Sequence, residues 1–399
     1  MPVMAVAGSI TIDNGSNVEA NTACLKGNGT ITASCSDPTD QKVFVLGGAN
    51  PTSDYTFVSI KNWTGSSSPS SNGYSVLGGY NNENMSNYIY IIDGKSTITG
   101  NLYGGYSVSS DAVVNDVSIT NGKNTITGNL YGGYSVNGDA WGNEVRFTSG
   151  KSTITGNLYG GYSVNGNAWG NVVEIKNGEN TITGNLYGGY SASGGDAFSD
   201  NKLRMYSQEY KIKGTVSNFQ KLEFNYSGEA NIGELDTTVR GNSATAVEIN
   251  VNKDASNKNY HVTFNGDITG SGGLNKTGDG ALTLEGGNTY LGDTTITGGT
   301  LTVTGTLGSD PLDGSGAYKY NSDIDNNGML IFNQDTDQVL SGKIGGDGTL
   351  EKDGKGTLTL TGTNDYKGGT TITGSDLTDA DQPRYSLINF SKVENFGDG

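Results

Sequence analysis

A parallel β-solenoid is the fold this all-β sequence predicts, and three observations predict it. The stretch "STITGNLYGGYS" that begins at Ser96 returns almost letter for letter at Asn124, Ser152 and Asn180, an offset of 124 − 96 = 28 residues each time. Gly accounts for 64 of 399 residues and charged residues for only 16%, well below the roughly 25% of an ordinary soluble domain. Within the repeats, apolar positions keep their class while the position between them changes freely, the period-2 pattern of a strand with one buried face. A fixed period marks one supersecondary unit stacked on copies of itself, because a single unit cannot bury its apolar face alone. So much Gly, Thr and Asn leaves little room for helix. An antiparallel sandwich also spaces its strands by roughly 8 to 12 residues, but it has no need of near-identical units.

Residues 1–40 read as an N-terminal cap over the open end of the solenoid, since an uncovered edge invites aggregation. Within them, "AVA" before Gly8 resembles the end of a secretory signal. Cys24 and Cys35 are the only cysteines. A local disulfide between them would be worth up to ~3 kcal/mol; two free thiols are the alternative, and zinc ranks last without a nearby His or a C-x-x-C spacing.

Residues 41–205 read as the β-helix with 28-residue rungs, with degenerate rungs at "FVLGGA" and "SVLGGY" and full ones from about Gly78 to Ser199. Each rung should hold a strand around Val117, a turn at Asn121-Gly122, a strand at 125–127, a corner at Gly128-Asn129, and a third strand in "LYGGYS". Val117, Val145 and Val173 form one inward column; Ile119, Phe147 and Ile175 form another; Ser118, Arg146 and Glu174 between them should face water. Residues 206–262 read as irregular coils, 263–374 as a second repeat type, and 375–399 as a truncated continuation.

The second type reads "GSGGLNKTGDGALTLEGGNTYLGDTTITG" and "GGDGTLEKDGKGTLTLTGTNDYKGGTTITG". Its matching positions are Leu274, Lys276, Gly278, Gly280, Leu282, Leu284, Asn288, Tyr290, Gly292 and Thr295, then Leu350, Lys352, Gly354, Gly356, Leu358, Leu360, Asn364, Tyr366, Gly368 and Thr370. These lines resemble the passenger-associated repeat of type V autotransporters. The resemblance implies a right-handed parallel β-helix, exported across the outer membrane of a Gram-negative bacterium by a C-terminal β-barrel. Such a barrel is absent from this sequence, which ends at "VENFGDG" and reads as a passenger fragment.

The net charge, 24 − 41 = −17, disfavours nucleic acid and anionic membranes as partners. No run approaches the ~18 apolar residues of a membrane-spanning helix. The single histidine, His261, sits in the strand-like "NYHVTF" without a nucleophile motif around it. "GKST" at Gly94 and Gly150 lacks the earlier glycine of a P-loop, where Ile89 and Val145 stand instead. "DIDNNG" from Asp323 opens like a calcium loop, yet Gln334 occupies its twelfth position. Asp111, Asp139 and Asp196 share a loop column that Asn167 interrupts, with no basic column beside it. No enzyme activity, cofactor or metal is therefore expected.

The remaining surface columns point to binding. Thr97/Thr99, Thr125/Thr127, Thr153/Thr155 and Thr181/Thr183 flank an inward Ile. Tyr103, Tyr131, Tyr159 and Tyr187 form one aromatic column, and Tyr106, Tyr134, Tyr162 and Tyr190 a second, one of which can fill space beside the glycines. Trp141, Trp169 and Phe198 crown successive loops. Sequence alone thus predicts a non-enzymatic adhesin that meets host glycans, host proteins or neighbouring passengers through Trp141, Trp169, Phe198, Tyr103, Tyr131, Tyr159 and Tyr187. A spacer stalk, a polysaccharide-cleaving β-helix and an ice-binding T-x-T plane are the alternatives.

Overall fold

The computed structural model of the chain describes residues 75–79, 86–92, 94–239, 245–309, 316–373 and 387–390, and the backbone of the strands Ser9–Ile12, Thr22–Leu25, Ile31–Thr32, Gln41–Val45 and Tyr55–Ile60. Every regular element among the described residues is a strand. Two compact units are formed, residues 1–220 with 240–242, and residues 221–239 with 243–399.

In the first unit the rung is the sequence repeat. Its first strands are Ser86–Ile92, Asp116–Thr120, Glu144–Phe147, Val172–Ile175 and Lys202–Met205. Its second strands run Lys95–Ile98, Lys123–Ile126, Lys151–Ile154 and Glu179–Ile182. Its third strands are Leu102–Ser107, Leu130–Ser135, Leu158–Ser163 and Leu186–Ser191. All stack in parallel: Val117 lies opposite Val145, Ile126 opposite Ile154, and Leu130 opposite Leu158. Val117, Ile119, Ile126 and Leu130 are buried within the coil.

The degenerate rungs join the same stack. Gln41–Val45 runs parallel to Ser75–Leu77, which runs parallel to Leu102–Ser107. Ser9–Ile12 runs parallel to Tyr55–Ile60, and Thr22–Leu25 pairs antiparallel with both Ile31–Thr32 and Gln41–Val45. The signal-like residues before Ser9 and the side chains of Cys24 and Cys35 lie outside the described residues, and with them the disulfide.

Local chemistry explains the rung. Asn121 and Gly122 both take positive φ, 55° and 69°, the backbone of a tight turn that Asn-Gly adopts readily. The Gly-Gly of "YGGY" answers two crowded neighbours. A Cβ on Gly132 would stand 2.3 Å from the carbonyl oxygen of Gly160, and one on Gly133 2.5 Å from the side chain of Asn143. That asparagine belongs to a buried ladder: Asn87, Asn115, Asn143, Asn171 and Asn201 pass Nδ2-to-Oδ1 hydrogen bonds of 2.6, 2.7, 2.9 and 3.1 Å from rung to rung. Each amide of this ladder thereby bonds the next copy of itself inside the coil.

The face expected to meet water is more enclosed than alternation implies. Ser118 and Glu174 are buried, and Arg146 between them reaches Asp116 at 3.3 Å, Glu144 at 2.6 Å and Glu174 at 3.9 Å. Stacked neighbours one strand spacing away cover each middle residue.

The second unit has shorter coils with three strand-bearing faces. Leu330 lies opposite Leu350, so the rung there is 350 − 330 = 20 residues. The repeat motif and the coil are out of step. Leu274 and Lys276 lie on Gly273–Thr277, between Ala246–Val251 and Thr294–Ile296. Their counterparts Leu350 and Lys352 lie on Thr349–Asp353, in the sheet that contains Ala281–Leu284 instead. The second copy therefore begins one face later than the first, which requires the faces to be interchangeable hosts. Tyr290 and Tyr366 are buried in both copies and make the same bond, hydroxyl to Thr294 at 2.7 Å and to Thr370 at 2.5 Å.

Candidate binding face of the YGGY array

The tyrosines stand on the side of the third strand opposite Leu130 and Gly132. Tyr103, Tyr131, Tyr159 and Tyr187 stack with centroids 4.7, 4.9 and 4.9 Å apart. Tyr106, Tyr134, Tyr162 and Tyr190 form a parallel stack at 4.9, 4.9 and 5.0 Å. The two columns meet edge to face, 5.4 Å for Tyr103 with Tyr106 and 5.3 Å for Tyr131 with Tyr134. Offset stacking along a column and T-shaped contact across it are the arrangements ring quadrupoles favour.

Tyr103, Tyr131 and Tyr159 are only 5 to 7% exposed. Val108 and Val136 pack against the rings, and Asn101, Asn129 and Asn157 donate to the three hydroxyls at 2.9, 2.9 and 3.0 Å. Burial pushes these hydroxyls up, Tyr159 to about 12. The column expected as a contact surface is thus a second, aromatic core outside the coil, because rungs one strand spacing apart bring the rings into contact with one another. Tyr187 is half-buried; the residue opposite it on the next coil is Ser217, which adds no ring.

Trp141 and Trp169 remain accessible. They stack at 5.4 Å with an interplanar angle of 5°, both half-buried, and Trp141 Nε1 donates to Asp111 Oδ2 at 3.4 Å. Phe198 does not continue this pair. The distance from Asn171 to Asn201 is 201 − 171 = 30 residues rather than 28, and Gly170 N–H donates to the carbonyl of Ser199 as Gly142 N–H donates to that of Trp169. Ser199 takes the tryptophan position, while Phe198 turns inward and is fully buried. Its neighbour Asp196 fixes this turn by accepting from the N–H groups of Phe198 and Ser199, both at 3.0 Å.

The acidic loop column has a structural use. Asp111 Oδ1 accepts from Asp139 N–H at 2.8 Å, Asp139 Oδ1 from Asn167 N–H at 2.7 Å, and Asn167 Oδ1 from Asp196 N–H at 2.9 Å. An amide oxygen serves as well as a carboxylate, which is why Asn167 stands in the column without disturbing it. The threonines do stack in register: Thr125 lies between Thr97 and Thr153, and Thr181 follows. Thr127, Thr155 and Thr183 are exposed. His261 is exposed on its strand, Gly94 and Gly150 are left-handed turn residues, and Gln334 is buried.

The residues that sequence reasoning missed are the asparagine ladder and the carboxylates around Arg146. A signal for the first was present, since "NDVSITNG", "NEVRFTSG" and "NVVEIKNG" all open with Asn. The second is spread over different residue types in successive rungs and leaves no column to read.

Neither the curated proteins nor the solved structures yield a match to the chain. The family model of the passenger-associated-transport-repeat matches residues 274–303 and 350–374. These stretches hold the two motif copies that lie on successive faces of the second unit, so the chain carries, twice, the repeat of autotransporter passenger domains.

Proposed function

We propose that the chain is a non-enzymatic autotransporter passenger, displayed at the cell surface or released, that acts as an adhesin through the loops of its 28-residue array. Its export partner on this reading is a C-terminal outer-membrane β-barrel. The observation that carries the adhesive part is the Trp141–Trp169 pair, two half-exposed indoles one rung apart beside Asp111, Asp139 and Asn167, with Trp141 closing the short strand Ala140–Trp141. Aromatic edges next to polar groups suit glycans or protein loops, and a site given twice in register gains avidity against a repetitive target. Tyr103, Tyr131 and Tyr159 are given to packing and Phe198 is withdrawn from the surface, so of the predicted residues binding rests on the two tryptophans and the half-buried Tyr187.

The test is a glycan-array and host-protein screen of the native chain and of the Trp141→Ala/Trp169→Ala double variant, with circular dichroism as the control for folding. The native chain should bind and the folded double variant should lose at least about tenfold in affinity, the range of one aromatic anchor. Equal binding by both would refute the site. The burial of the tyrosine columns favours a second reading, a spacer that holds other regions away from the cell; a spacer is silent in both screens. Release of product from a glycan would instead reveal an enzyme.

A further inference from the structure

The two halves of the passenger-associated repeat, one around "LNKTGDG" and the other ending in "TTITG", lie on successive coils of the second unit. A single side chain bonds both. Lys276 has 0% exposure and sits in an inward column between Ile249 and Ile296. Its Nζ donates to the carbonyls of Thr277 at 2.8 Å and Gly278 at 2.9 Å, within its own turn, and to that of Gly298 at 3.2 Å, in the turn of the next coil. Three donors thus meet three carbonyls.

Lys352 repeats the own-turn part of this arrangement on a different face. It is 1% exposed and donates to the carbonyls of Asp353 and Gly354. The residue that corresponds to Gly298 is Gly374 in sequence, outside the described residues. Neither ammonium touches a carboxylate among the described residues. Asp279 near Lys276 is held by Lys253 at 2.9 Å. Asp335, Asp337 and Asp353 surround Lys352 at longer range, with Lys355 on Asp335 at 3.7 Å.

A buried charge without a counter-ion is costly unless every donor finds an acceptor. Here the acceptors come from two coils, and they converge only when those coils are in register. A slip of two residues would keep the alternation of the strands and carry the Gly298 carbonyl away, leaving the buried ammonium with a donor unsatisfied. Isoleucine, as at the neighbouring positions, would tolerate that slip. We infer that the lysine of each passenger-associated repeat is a register clasp, a buried ammonium that admits one alignment of successive coils and rejects the slipped ones.

The clasp is tested in the intact chain with cysteine pairs on the outward face, mapped as disulfide-linked peptides. Thr283 and Thr302 are direct partners; Thr283 and Thr300 are displaced by two residues and lie beyond the ~7 Å Cα limit of a disulfide. With Lys276 present, only Thr283→Cys/Thr302→Cys should link. With Lys276→Met, which keeps the volume and removes the charge, Thr283→Cys/Thr300→Cys should link as well, at a tenth or more of the in-register yield. Met variants that link only in register would overturn the inference. A second measurement needs no variant: burial pushes Lys276 down to about 8 and also lowers Lys352, so both release protons more readily folded than unfolded. The thermal midpoint of the second unit should therefore rise as pH goes from 7 to 9.5; a flat or falling midpoint would exclude a buried, unpaired ammonium.

Discussion

Val114 is a β-branched residue at φ 49°, 44% exposed, at a place where the next two rungs have Gly142 and Gly170 at 67° and 66°. Left-handed backbone costs a residue with a Cβ roughly 1–2 kcal/mol, while glycine loses part of that gain through its freer unfolded chain. Val114→Gly should therefore stabilise the fold by about 0.5–1 kcal/mol in urea titration. Gly132→Ala should do the reverse by about 2–4 kcal/mol, because its Cβ would stand 2.3 Å from a backbone oxygen that cannot move without breaking the stack. Asp116 contributes a pH dependence. Burial pushes its carboxyl up to about 6, with Arg146 opposing and Glu144 and Glu174 adding to the rise. The folded state then holds the proton more tightly than the unfolded state, whose aspartate titrates near 3.8, so Asp116 disfavours folding increasingly as pH climbs between these values and fully above 6. Asp116→Asn should gain on the native chain between pH 4 and pH 7 by on the order of 2 to 3 kcal/mol; a constant gap would show that burial of the carboxylate is not the cause.

Strands and turns were legible because they recur. Val117, Val145 and Val173 announce an inward column, and Asn121-Gly122 announces its turn, since local backbone chemistry decides both. The fate of the tyrosines was not legible, because period-2 alternation assigns a side of the strand but does not say what covers that side. Eight rings stacked at about 5 Å cover one another. Nor could the sequence reveal that the second repeat lands one face beyond the first, since the motif fits any face and only the coil lengths decide. The tyrosine element makes its own prediction. Tyr131→Phe removes the bond from Asn129 and should cost about 1 kcal/mol. Tyr131→Ala opens a gap between Tyr103 and Tyr159 and should cost about 3–5 kcal/mol. Equal losses for the two variants would mean that the hydroxyl, rather than the stack, holds the column.

For the molecule as a whole, the proposed adhesion and the packing both depend on the rung being a spatial as well as a sequence repeat, since the paired tryptophans, the tyrosine stacks and the asparagine ladder all require identical positions to lie one strand spacing apart. Burial took Phe198 and three tyrosines out of the predicted contact set and left Trp141, Trp169 and the half-buried Tyr187 in it, a sorting that depends on loop length in one case and on ring contact in the other. The most direct test of the stacking is disulfide mapping between exposed threonines. Thr127 and Thr155 follow the paired residues Ile126 and Ile154, so their Cα atoms should lie about 5 Å apart, within reach of a disulfide. Thr127 and Thr183 are two rungs apart, at about 10 Å, and out of reach. Thr127→Cys/Thr155→Cys is predicted to form the cross-link in the folded chain and Thr127→Cys/Thr183→Cys to remain reduced. Failure of the first pair, or equal linkage of both, would contradict a parallel coil of 28 residues.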